Sequence, residues 1–389
     1  MTHSDLEEHA ALPELLRGHA ELERTERGWL PHRLPAAARA RADAQLLGAE
    51  AQPSGVRLVF RTRATALALD LHRTRMVLKG VPERPAGTVD LLVDGRLERQ
   101  EATTAGDVVH VDPATGAVEL TQGPFGTVTF DGLPPAEKLV EVWLPYHERI
   151  ELVAVRSDAP LERTPSGGPV WLHYGSSISQ GSNTAGPSTT WPATAARLGG
   201  VELVNLGFSG SAMLDPFVAR VMRDTPADLL SVKVGINLVN ADVFRLRAFA
   251  PAVHGFLDTL RDGHPDTPLL VISPLFCPIH EQTPGPAAFD PAALADGRLA
   301  YIATGDPAEA ARGGNPVGRL TLEVIREQLA AIVAARAAED PHIRYLDGLD
   351  LYGPADAAQL PLPDALHPGA DAHARIGERF AARAFVSSS

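Results

Sequence analysis

The sequence lacks most of the features that mark secreted, zinc-bound or membrane-spanning chains. It contains one cysteine among 389 residues, Cys277, which excludes an intramolecular disulfide and a cysteine-rich zinc site. No window holds about 18 consecutive apolar residues, so we expect no transmembrane helix. Residues 1–8 contain neither the basic nor the apolar segment of a signal peptide. These absences predict a soluble, cytoplasmic protein.

Positive charge is also scarce. The chain has 35 lysine and arginine residues against 48 aspartate and glutamate residues, for a net charge of −13. Binding to nucleic acid or to an anionic membrane surface needs the opposite sign, so the sequence disfavours both as partners. The 14 histidines show no ligand spacing such as His-x-x-x-His. We therefore expect no metal and no other cofactor.

The remaining composition is that of a globular protein, with 44% hydrophobic and 21% charged residues. At roughly 100–200 residues per domain, the length suggests two or three domains. The 34 glycines and 33 prolines indicate many loops and argue against a helical bundle.

The hydrophobic pattern changes near a polar, Pro/Gly/Ser-rich stretch at residues 160–169, where we place the domain boundary. Residues 4–46 have some helical periodicity, but from about residue 54 apolar and polar residues alternate, as they do in half-buried strands. We predict that residues 1–165 form an antiparallel, jelly-roll-like β-sandwich with a helical or irregular lead-in. Its strands are predicted at 56–63, 67–72, 88–95, 108–111, 117–121, 127–130, 139–144 and 149–156.

Residues 166–389 alternate strands and helices, which predicts a three-layer α/β/α domain around a mainly parallel sheet. Within it, residues 278–316 form a long insertion rich in Gly, Pro and Ala, which we expect to be a loop that serves as a lid or binding segment. The strands are predicted at 170–174, 201–206, 227–234, 268–273 and 343–347. The helices are predicted at 191–198, 215–223, 244–261, 320–338 and 370–385.

The carboxyl ends of parallel strands are where such sheets bind ligands, and polar residues follow several of them. Gly175-Ser176-Ser177-Ile178-Ser179-Gln180-Gly181 comes directly after the first predicted strand. A serine at this turn can expose its hydroxyl and direct its own N–H at a developing oxyanion. Taken alone, the segment is more typical of an ordinary polar turn or helix N-cap.

Two later turns and the approach to the last helix carry further candidates. Gly210 follows the second strand and Asn237 the third, and both a glycine N–H and an asparagine amide can donate hydrogen bonds. Asp364 precedes His367 by three residues, so the carboxylate can orient the imidazole if both lie on one turn. Taken alone, each of these residues fits a tight turn or a helix-capping position better than a functional site.

The combination is more specific than its parts. Serine, glycine, asparagine and Asp-x-x-His occur in this order, and the arrangement resembles the SGNH, or GDSL-like, hydrolase family over about residues 168–387. The resemblance implies that Ser177 is a nucleophile, that His367 and Asp364 complete a catalytic triad, and that Ser177, Gly210 and Asn237 form the oxyanion hole. Two positions depart from the family pattern: Ser176 stands where Asp is usual, and Leu238 follows the asparagine where Asp is common.

The resemblance implies a serine esterase that acts through a covalent acyl-enzyme on a small-molecule or carbohydrate ester. A sandwich followed by a Gly-Ser-Ser-Ile domain is similar to two-domain bacterial members, which include carbohydrate esterases and an acyltransferase. Transfer of the acyl group to an alcohol of a secondary metabolite or sugar is therefore an alternative. A catalytically dead sugar-binding protein is a second alternative. The sandwich has few aromatic residues to stack on sugar rings, and Trp143 and Tyr146 are the pair nearest to each other in the sequence. The oligomeric state stays open.

Other polar residues receive plainer interpretations. We expect His173 to be a core group or a neighbour of the site, because it lies on the strand before Ser177. His280 and Glu281 lie in the insertion and are expected to be solvated. Cys277 follows an apolar strand and is expected to be a buried thiol.

Overall fold

The computed structural model describes residues 6–9, 12–165 and 167–385. They form two compact units. The first contains the described residues up to Ala36, together with Glu50–Gly167 and Gly186–Ser188, and the second contains Ala37–Ala49, Gly168–Ala185 and the described residues from Thr189 onward. Residues 1, 166 and 389, at which predicted domains begin or end, lie outside the described residues. Part of residues 1–8, the segment in which we predict no signal peptide, lies outside them as well. The division into domains at residues 165 and 166 stays a prediction.

The first unit consists mainly of short strands, with one short helix, α1 (Leu12–Leu15). Its strands are β1 (Glu7–Glu8), β2 (Leu16–Arg17), β3 (Glu21–Arg24), β4 (Trp29–His32), β5 (Arg57–Thr62), β6 (Ala66–Leu78), β7 (Thr88–Val93), β8 (Arg96–Ala102), β9 (Asp107–Val111), β10 (Val118–Thr121), β11 (Gly126–Asp131), β12 (Lys138–Trp143), β13 (Arg149–Ser157) and β14 (Glu162–Arg163).

These strands form two sheets that share one core. One sheet has the order β10-β9-β6-β13-β4-β3, with β1 on β13 and β11 on β6, and the other has the order β14-β5-β12-β7-β8, with β2 on β5. The described pairings are antiparallel apart from β6 with β9, which is parallel. Because side chains alternate across a strand, Phe60 and Val142 of one sheet and Leu71 and Ile150 of the other point into the same apolar cluster. The predicted β-sandwich is confirmed.

The predicted helical or irregular lead-in also contains short strands that the sequence did not indicate. Leu16–Arg17 pairs with β5, and Glu21–Arg24 forms a hairpin with Trp29–His32. The carboxylate of Glu50 secures this region, because it lies 2.7 Å from His32 Nδ1 and accepts from the backbone N–H of Arg33. Apolar spacing cannot distinguish a strand of two to four residues from a helix, because a run of this length covers only about one helical turn.

The second unit contains a five-stranded parallel sheet in the order β16-β15-β17-β18-β21. The strands are β15 (Val170–Gly175), β16 (Glu202–Gly207), β17 (Leu229–Lys233), β18 (Leu269–Ile272) and β21 (Ile343–Leu346), and β19 (Ala287–Phe289) pairs with β20 (Tyr301–Ala303) outside this sheet. The helices begin with α2 (Ala36–Arg39) and α3 (Ala44–Glu50), which lie mostly in this unit, and continue with α4 (Ser177–Gln180), α5 (Trp191–Gly199), α6 (Pro216–Asp224), α7 (Ile236–Asn240), α8 (Leu246–Gly263), α9 (Pro291–Ala295), α10 (Leu322–Arg336), α11 (Pro354–Gln359) and α12 (Ala370–Ala384).

The strand order places a switch point at β15. The chain first adds β16 on one side of β15 and then β17 on the other, so the turns that follow these strands meet at the same edge of the sheet. Open α/β sheets bind ligands at this point.

The two faces of the sheet carry different helices. Trp171 on β15 stacks on Phe380 of α12, with ring centroids 4.7 Å apart, and also contacts Trp191 of α5. Tyr174 points to the opposite face, because it is three residues further along the strand, and its ring lies 5.1 Å from that of Phe256 on α8. The predicted three-layer α/β/α arrangement with a parallel sheet is confirmed.

The expectation of an irregular loop at residues 278–316 is wrong. This insertion contains the β19–β20 hairpin and α9, whose first turn is capped by Asp290 through a 2.9 Å bond from the N–H of Ala292. Whether the insertion acts as a lid stays a prediction. Of the helices in the described part of the chain, none is long and apolar enough to cross a membrane.

Candidate active site

Ser177 is the first residue of α4, directly after β15. The turn is fixed by Ser176, whose hydroxyl accepts from the N–H of Ile178 at 3.4 Å and whose carbonyl accepts from the N–H of Ser179 at 2.9 Å. Ser177 itself is only 5% exposed, and its Oγ lies 2.9 Å from Nε2 of His367. The strand-to-helix turn therefore holds the serine hydroxyl against the imidazole.

His367 and Asp364 lie on one loop before α12, where Nδ1 of His367 is 2.7 Å from Oδ2 of Asp364. An ionised carboxylate only accepts hydrogen bonds, so Nδ1–H of His367 donates to it. The neutral ring then presents the Nε2 lone pair to the hydroxyl of Ser177. The structure thus joins the three predicted triad residues by hydrogen bonds in series.

Several donors converge on Asp364. Its Oδ1 accepts from the N–H groups of Leu366 at 3.0 Å and His367 at 2.7 Å, and its Oδ2 also accepts from Nδ2 of Asn183 at 3.0 Å. Burial alone raises the pKa of Asp364, but the hydrogen bond and charge of His367, with the backbone bonds, lower this pKa to about 2. The carboxylate therefore stays ionised across the neutral range. The sequence analysis did not single out Asn183.

The turns after β15, β16 and β17 are tied to one another. The N–H of Phe208 donates to the carbonyl of Gly175 at 2.8 Å, and the N–H of Ser209 donates to Oε1 of Gln180 at 2.8 Å. The N–H of Ala212 donates to Oδ1 of Asn237 at 3.1 Å. These bonds hold the loops that carry Ser177, Gly210 and Asn237 together.

The three donors predicted for the oxyanion hole are not used elsewhere within the described structure. No described group accepts from the backbone N–H of Ser177 or Gly210, or from Nδ2 of Asn237. Because Oδ1 of Asn237 takes the bond from Ala212, its amide is oriented with Nδ2 free to donate. Gly210 has φ 69°, in the left-handed region, and a side chain there would collide with the amide of Gln45 on α3.

The two departures from the family pattern have simple structural outcomes. Ser176 caps α4, a role that serine and aspartate share. Leu238 is fully buried, so this position holds an apolar side chain and no carboxylate.

A buried polar layer lies along β15 and β17. His173 is fully buried, with Nδ1 2.7 Å from Oγ of Ser231 and Nε2 2.8 Å from Oγ of Ser179. Burial and the nearby charge of Lys233 lower the pKa of His173 well below its ordinary value. It is therefore a neutral group of the core, as expected from the sequence.

A second buried histidine, His373 on α12, was not anticipated from the sequence. Its Nδ1 accepts from the backbone N–H of Trp191 at 3.2 Å, so the proton is on Nε2, which donates to the carbonyl of Ser182 at 2.9 Å. Burial lowers the pKa of His373 to about 4. The ring is neutral and holds the segment that follows α4.

The insertion residues differ from expectation. His280 is fully buried, with Nδ1 3.1 Å from the carbonyl of Thr283, and Glu281 forms an ion pair with Arg326. The expectation that both are solvated is wrong, because the insertion packs on α10 instead of extending as a loop. Cys277 is buried, as predicted, and burial raises the pKa of its thiol to about 12.

No group of three or more His, Cys, Asp or Glu side chains converges as a set of metal ligands within the described ranges. Trp143 of the sandwich is 5% exposed and lies beneath the guanidinium of Arg57, so its ring face is not free to stack on a sugar.

Comparison with known proteins defines the class of this molecule. The model of the GDSL-like Lipase/Acylhydrolase family matches residues 170–276, which include Ser177, Gly210 and Asn237. The structure is similar to that of the salicylyl acyltransferase SsfX3 from a tetracycline biosynthetic pathway, with 32% identity, a TM-score of 0.75, and coverage of 94% of this chain and 92% of that chain. The chain belongs to the SGNH, or GDSL-like, hydrolase superfamily and is an enzyme of the SGNH type.

Two more distant structures share the fold. One is described as a GDSL-like lipase from Bacteroides ovatus, with 19% identity, a TM-score of 0.67, and coverage of 97% of this chain and 96% of that chain. The other is a family two carbohydrate esterase from Clostridium thermocellum in complex with cellohexaose, with 12% identity, a TM-score of 0.54, and coverage of 85% and 91%. A search of curated protein sequences finds no match.

Proposed function

We propose that the protein is a serine acyl-ester enzyme in which Ser177 forms a covalent acyl-enzyme. The observation that carries the proposal is the series of hydrogen bonds from Ser177 Oγ through His367 to Asp364, at 2.9 and 2.7 Å. Oγ of Ser177 attacks the ester carbonyl while Nε2 of His367 accepts the hydroxyl proton. Asp364 holds the tautomer and stabilises the imidazolium that forms.

The oxyanion formed by this attack requires hydrogen-bond donors that are free before substrate binds. The N–H groups of Ser177 and Gly210 and the amide of Asn237 meet this requirement, since nothing in the described part of the chain accepts from them. One such donor is typically worth about 3–4 kcal/mol of transition-state stabilisation. Collapse of the intermediate transfers the proton from His367 to the departing alcohol and leaves the acyl group on Ser177.

The second half-reaction returns the acyl group to an oxygen nucleophile. Water or an alcohol donates its proton to Nε2 of His367 as it attacks the acyl-enzyme, and Ser177 is regenerated. With water the enzyme is an esterase, which is the function that we propose first, on a small-molecule or carbohydrate ester.

Acyl transfer to an alcohol is the second candidate, and two observations favour it. The 32% identity to a salicylyl acyltransferase extends over 94% of the chain. Ser177, Asp364 and His367 are each 5% exposed, which reduces the access of water to the acyl-enzyme.

Labelling with a fluorophosphonate tests the nucleophile. We expect the wild-type enzyme to become labelled and Ser177→Ala to remain unlabelled. Ser176→Ala is the control for the neighbouring hydroxyl, which caps α4 and lies outside the hydrogen-bonded series, and this variant should still become labelled. Labelling of folded Ser177→Ala would overturn the assignment.

Product analysis distinguishes the two candidate functions. The enzyme is supplied with an activated acyl ester in the presence of a graded panel of sugar and aromatic alcohols, and acid and ester products are measured by mass spectrometry. An esterase gives free acid at every acceptor concentration. A transferase gives an acylated alcohol, and the share of this product saturates as the concentration of one class of acceptor rises. Without that acceptor, a transferase releases free acid only slowly.

A further inference from the structure

Asn183 lies between α4 and α5 and bonds directly to the triad carboxylate. Its Nδ2 donates to Oδ2 of Asp364 at 3.0 Å, the same oxygen that accepts Nδ1–H of His367 at 2.7 Å. Among the described residues, these are the two side chains that donate to Asp364, since Oδ1 takes two backbone N–H groups. A carboxylate offers about four acceptor sites, so these donors fill them. Asn183 is thus the one side chain that holds this carboxylate without taking part in proton transfer.

The backbone directs this amide. Asn183 has φ 67°, in the left-handed region, which asparagine tolerates better than most residues. The segment is fixed on both sides, because the carbonyl of Ser182 accepts from Nε2 of His373 at 2.9 Å and the hydroxyl of Thr184 donates to the carbonyl of Thr189 at 2.9 Å. Backbone conformations of this kind are concentrated at functional sites.

The two ends of the bond differ in exposure. Asn183 is an exposed residue, whereas Asp364 is 5% exposed, so the amide reaches a buried carboxylate from the solvent side. Because an ionised carboxylate only accepts, the amide presents its nitrogen and donates at every pH at which Asp364 is charged. A water molecule in the same place would be free to turn.

Sharing of Oδ2 has two consequences for His367. The amide fixes the plane of the carboxylate, and a rotation of that plane would displace the imidazole and its Nε2 from Ser177. The amide also stabilises part of the negative charge on Oδ2, which moderates the pull of Asp364 on the proton of Nδ1.

We propose that Asn183 is a positioning residue of the triad, which holds Asp364 through Nδ2 and so sets the orientation and the basicity of His367. The inference rests on the proposed function of Ser177. It adds a fourth side chain to the hydrogen-bonded series, and this side chain acts through Asp364.

The other titratable groups that face Asp364 and His367 come from three elements. They are Cys277 after β18, Tyr301 on β20, whose ring meets that of His367, and His373 on α12. The pKa of Cys277 is raised to about 12 and that of His373 is lowered to about 4, so both are uncharged in the neutral range. The acid limb of kcat/KM, where this parameter rises with pH, therefore reports on His367 beside the ionised Asp364.

Asn183→Gly removes the amide and suits the left-handed backbone, so it isolates the hydrogen bond. With an activated ester we expect kcat to fall roughly tenfold with little change in KM, because a misdirected carboxylate slows proton transfer and leaves binding intact. Asp94→Gly is the matched control. Asp94 is also an exposed residue with positive φ, 49°, in the turn between β7 and β8, and its variant should keep the kcat of wild type.

Asn183→Asp keeps the shape of the side chain and replaces the donor with a negative charge beside Asp364. This charge favours the imidazolium form of His367, so its pKa should rise. We expect the acid limb of kcat/KM to move to higher pH by about 1 unit relative to wild type. A role confined to folding would lower the melting temperature and leave the limb in place.

A wild-type kcat in Asn183→Gly, or an unshifted acid limb in Asn183→Asp, would overturn the inference. If the glycine variant does not fold, the limb of the aspartate variant decides alone. Failure of the proposed function is distinguishable, because Ser177→Ala would then accept the fluorophosphonate or remain active, whatever the variants of Asn183 do.

Discussion

At the scale of single residues, the sequence predicted which side chains meet but not how they are held. The order of Ser177, Gly210, Asn237 and the Asp364–His367 pair pointed to one edge of a parallel sheet, and the structure brings the triad candidates within hydrogen-bond distance. The donors that orient Asp364 could not be predicted, because the amide of Asn183 reaches it from 181 residues away in the chain.

Asp364→Asn tests the orienting carboxylate. The amide can hold the wrong tautomer of His367, and we expect kcat to fall by about 10⁴-fold. Steady-state kinetics on an activated ester provide the measurement. Asp356→Asn is the control, because Asp356 is buried, pairs with Arg375 and Arg379, and also has its pKa lowered to about 2. That variant should lose stability and keep its kcat. An unchanged kcat in Asp364→Asn would remove Asp364 from the reaction and leave a Ser-His pair.

Asn237→Ala tests the oxyanion hole. The amide has no other acceptor within the described residues, so its loss should act mainly in the transition state. We expect kcat to fall by about 10²–10³-fold with a smaller change in KM. A raised KM at constant kcat would assign Asn237 to binding of the ground state instead.

At the scale of elements, the predicted helices and strands are present, including strands as short as Ile343–Leu346, whereas several short elements of the lead-in and the insertion were not predicted. The insertion is the clearest case, since its high content of Gly, Pro and Ala predicted a loop, yet it contains the β19–β20 hairpin. Tyr301 of this hairpin donates its N–H to the carbonyl of Asp364 at 2.9 Å, and its ring meets that of His367 edge to face at 5.7 Å. Three-residue strands are too short for a pattern of period two to reveal them.

Tyr301→Ala tests this contact. Removing the ring frees one side of His367, and because small displacements of reacting groups slow chemistry strongly, we expect kcat to fall roughly tenfold. Tyr301→Phe keeps the ring and should retain most of the rate. The comparison uses burst and steady-state rates on one activated ester. Equal rates for the alanine and phenylalanine variants would show that the ring does not position His367.

Helix α3, near the amino-terminal end of the chain, also could not be placed from its local sequence pattern. Its residue Gln45 lies against Gly210, although the sequence suggested that everything before residue 165 belongs to the sandwich. A local pattern reports whether a segment is helical. It does not report which core the segment joins, because that depends on packing against distant residues.

At the scale of the whole molecule, the two fold classes were predictable because each has many elements with the same period. Alternation over strands such as Arg57–Thr62 and Arg149–Ser157 indicated the sandwich, and the β-α repeat indicated the parallel sheet. Burial of a charge such as that of Lys233 was not predictable, since a lysine at the end of a strand is usually solvated.

The free energy of unfolding should depend on pH because Lys233 is buried. The pKa of Lys233 is lower in the folded state, at about 8, than its ordinary value of 10.5. The unfolded chain therefore binds more protons between these values, so the contribution of Lys233 to the free energy of unfolding rises as the pH increases from 8 to 10.5. Below pH 8, Lys233→Met should be more stable than wild type by at most about 3 kcal/mol.

Urea denaturation of both proteins at a series of pH values provides this measurement. The difference between their free energies of unfolding should shrink above pH 8 and vanish near pH 10.5. A difference that is constant over this range would show that Lys233 keeps its ordinary pKa in the folded protein.

The most direct test of the central claim, that Ser177 carries the acyl group, is to trap the intermediate. The enzyme is mixed with an activated ester, quenched in acid within the first turnover, digested, and analysed by peptide mass spectrometry. The account predicts an added acyl mass on the peptide that contains Ser177, and no such mass in Ser177→Ala. An acyl group on a different residue, or turnover of the ester by folded Ser177→Ala at the wild-type rate, would contradict it.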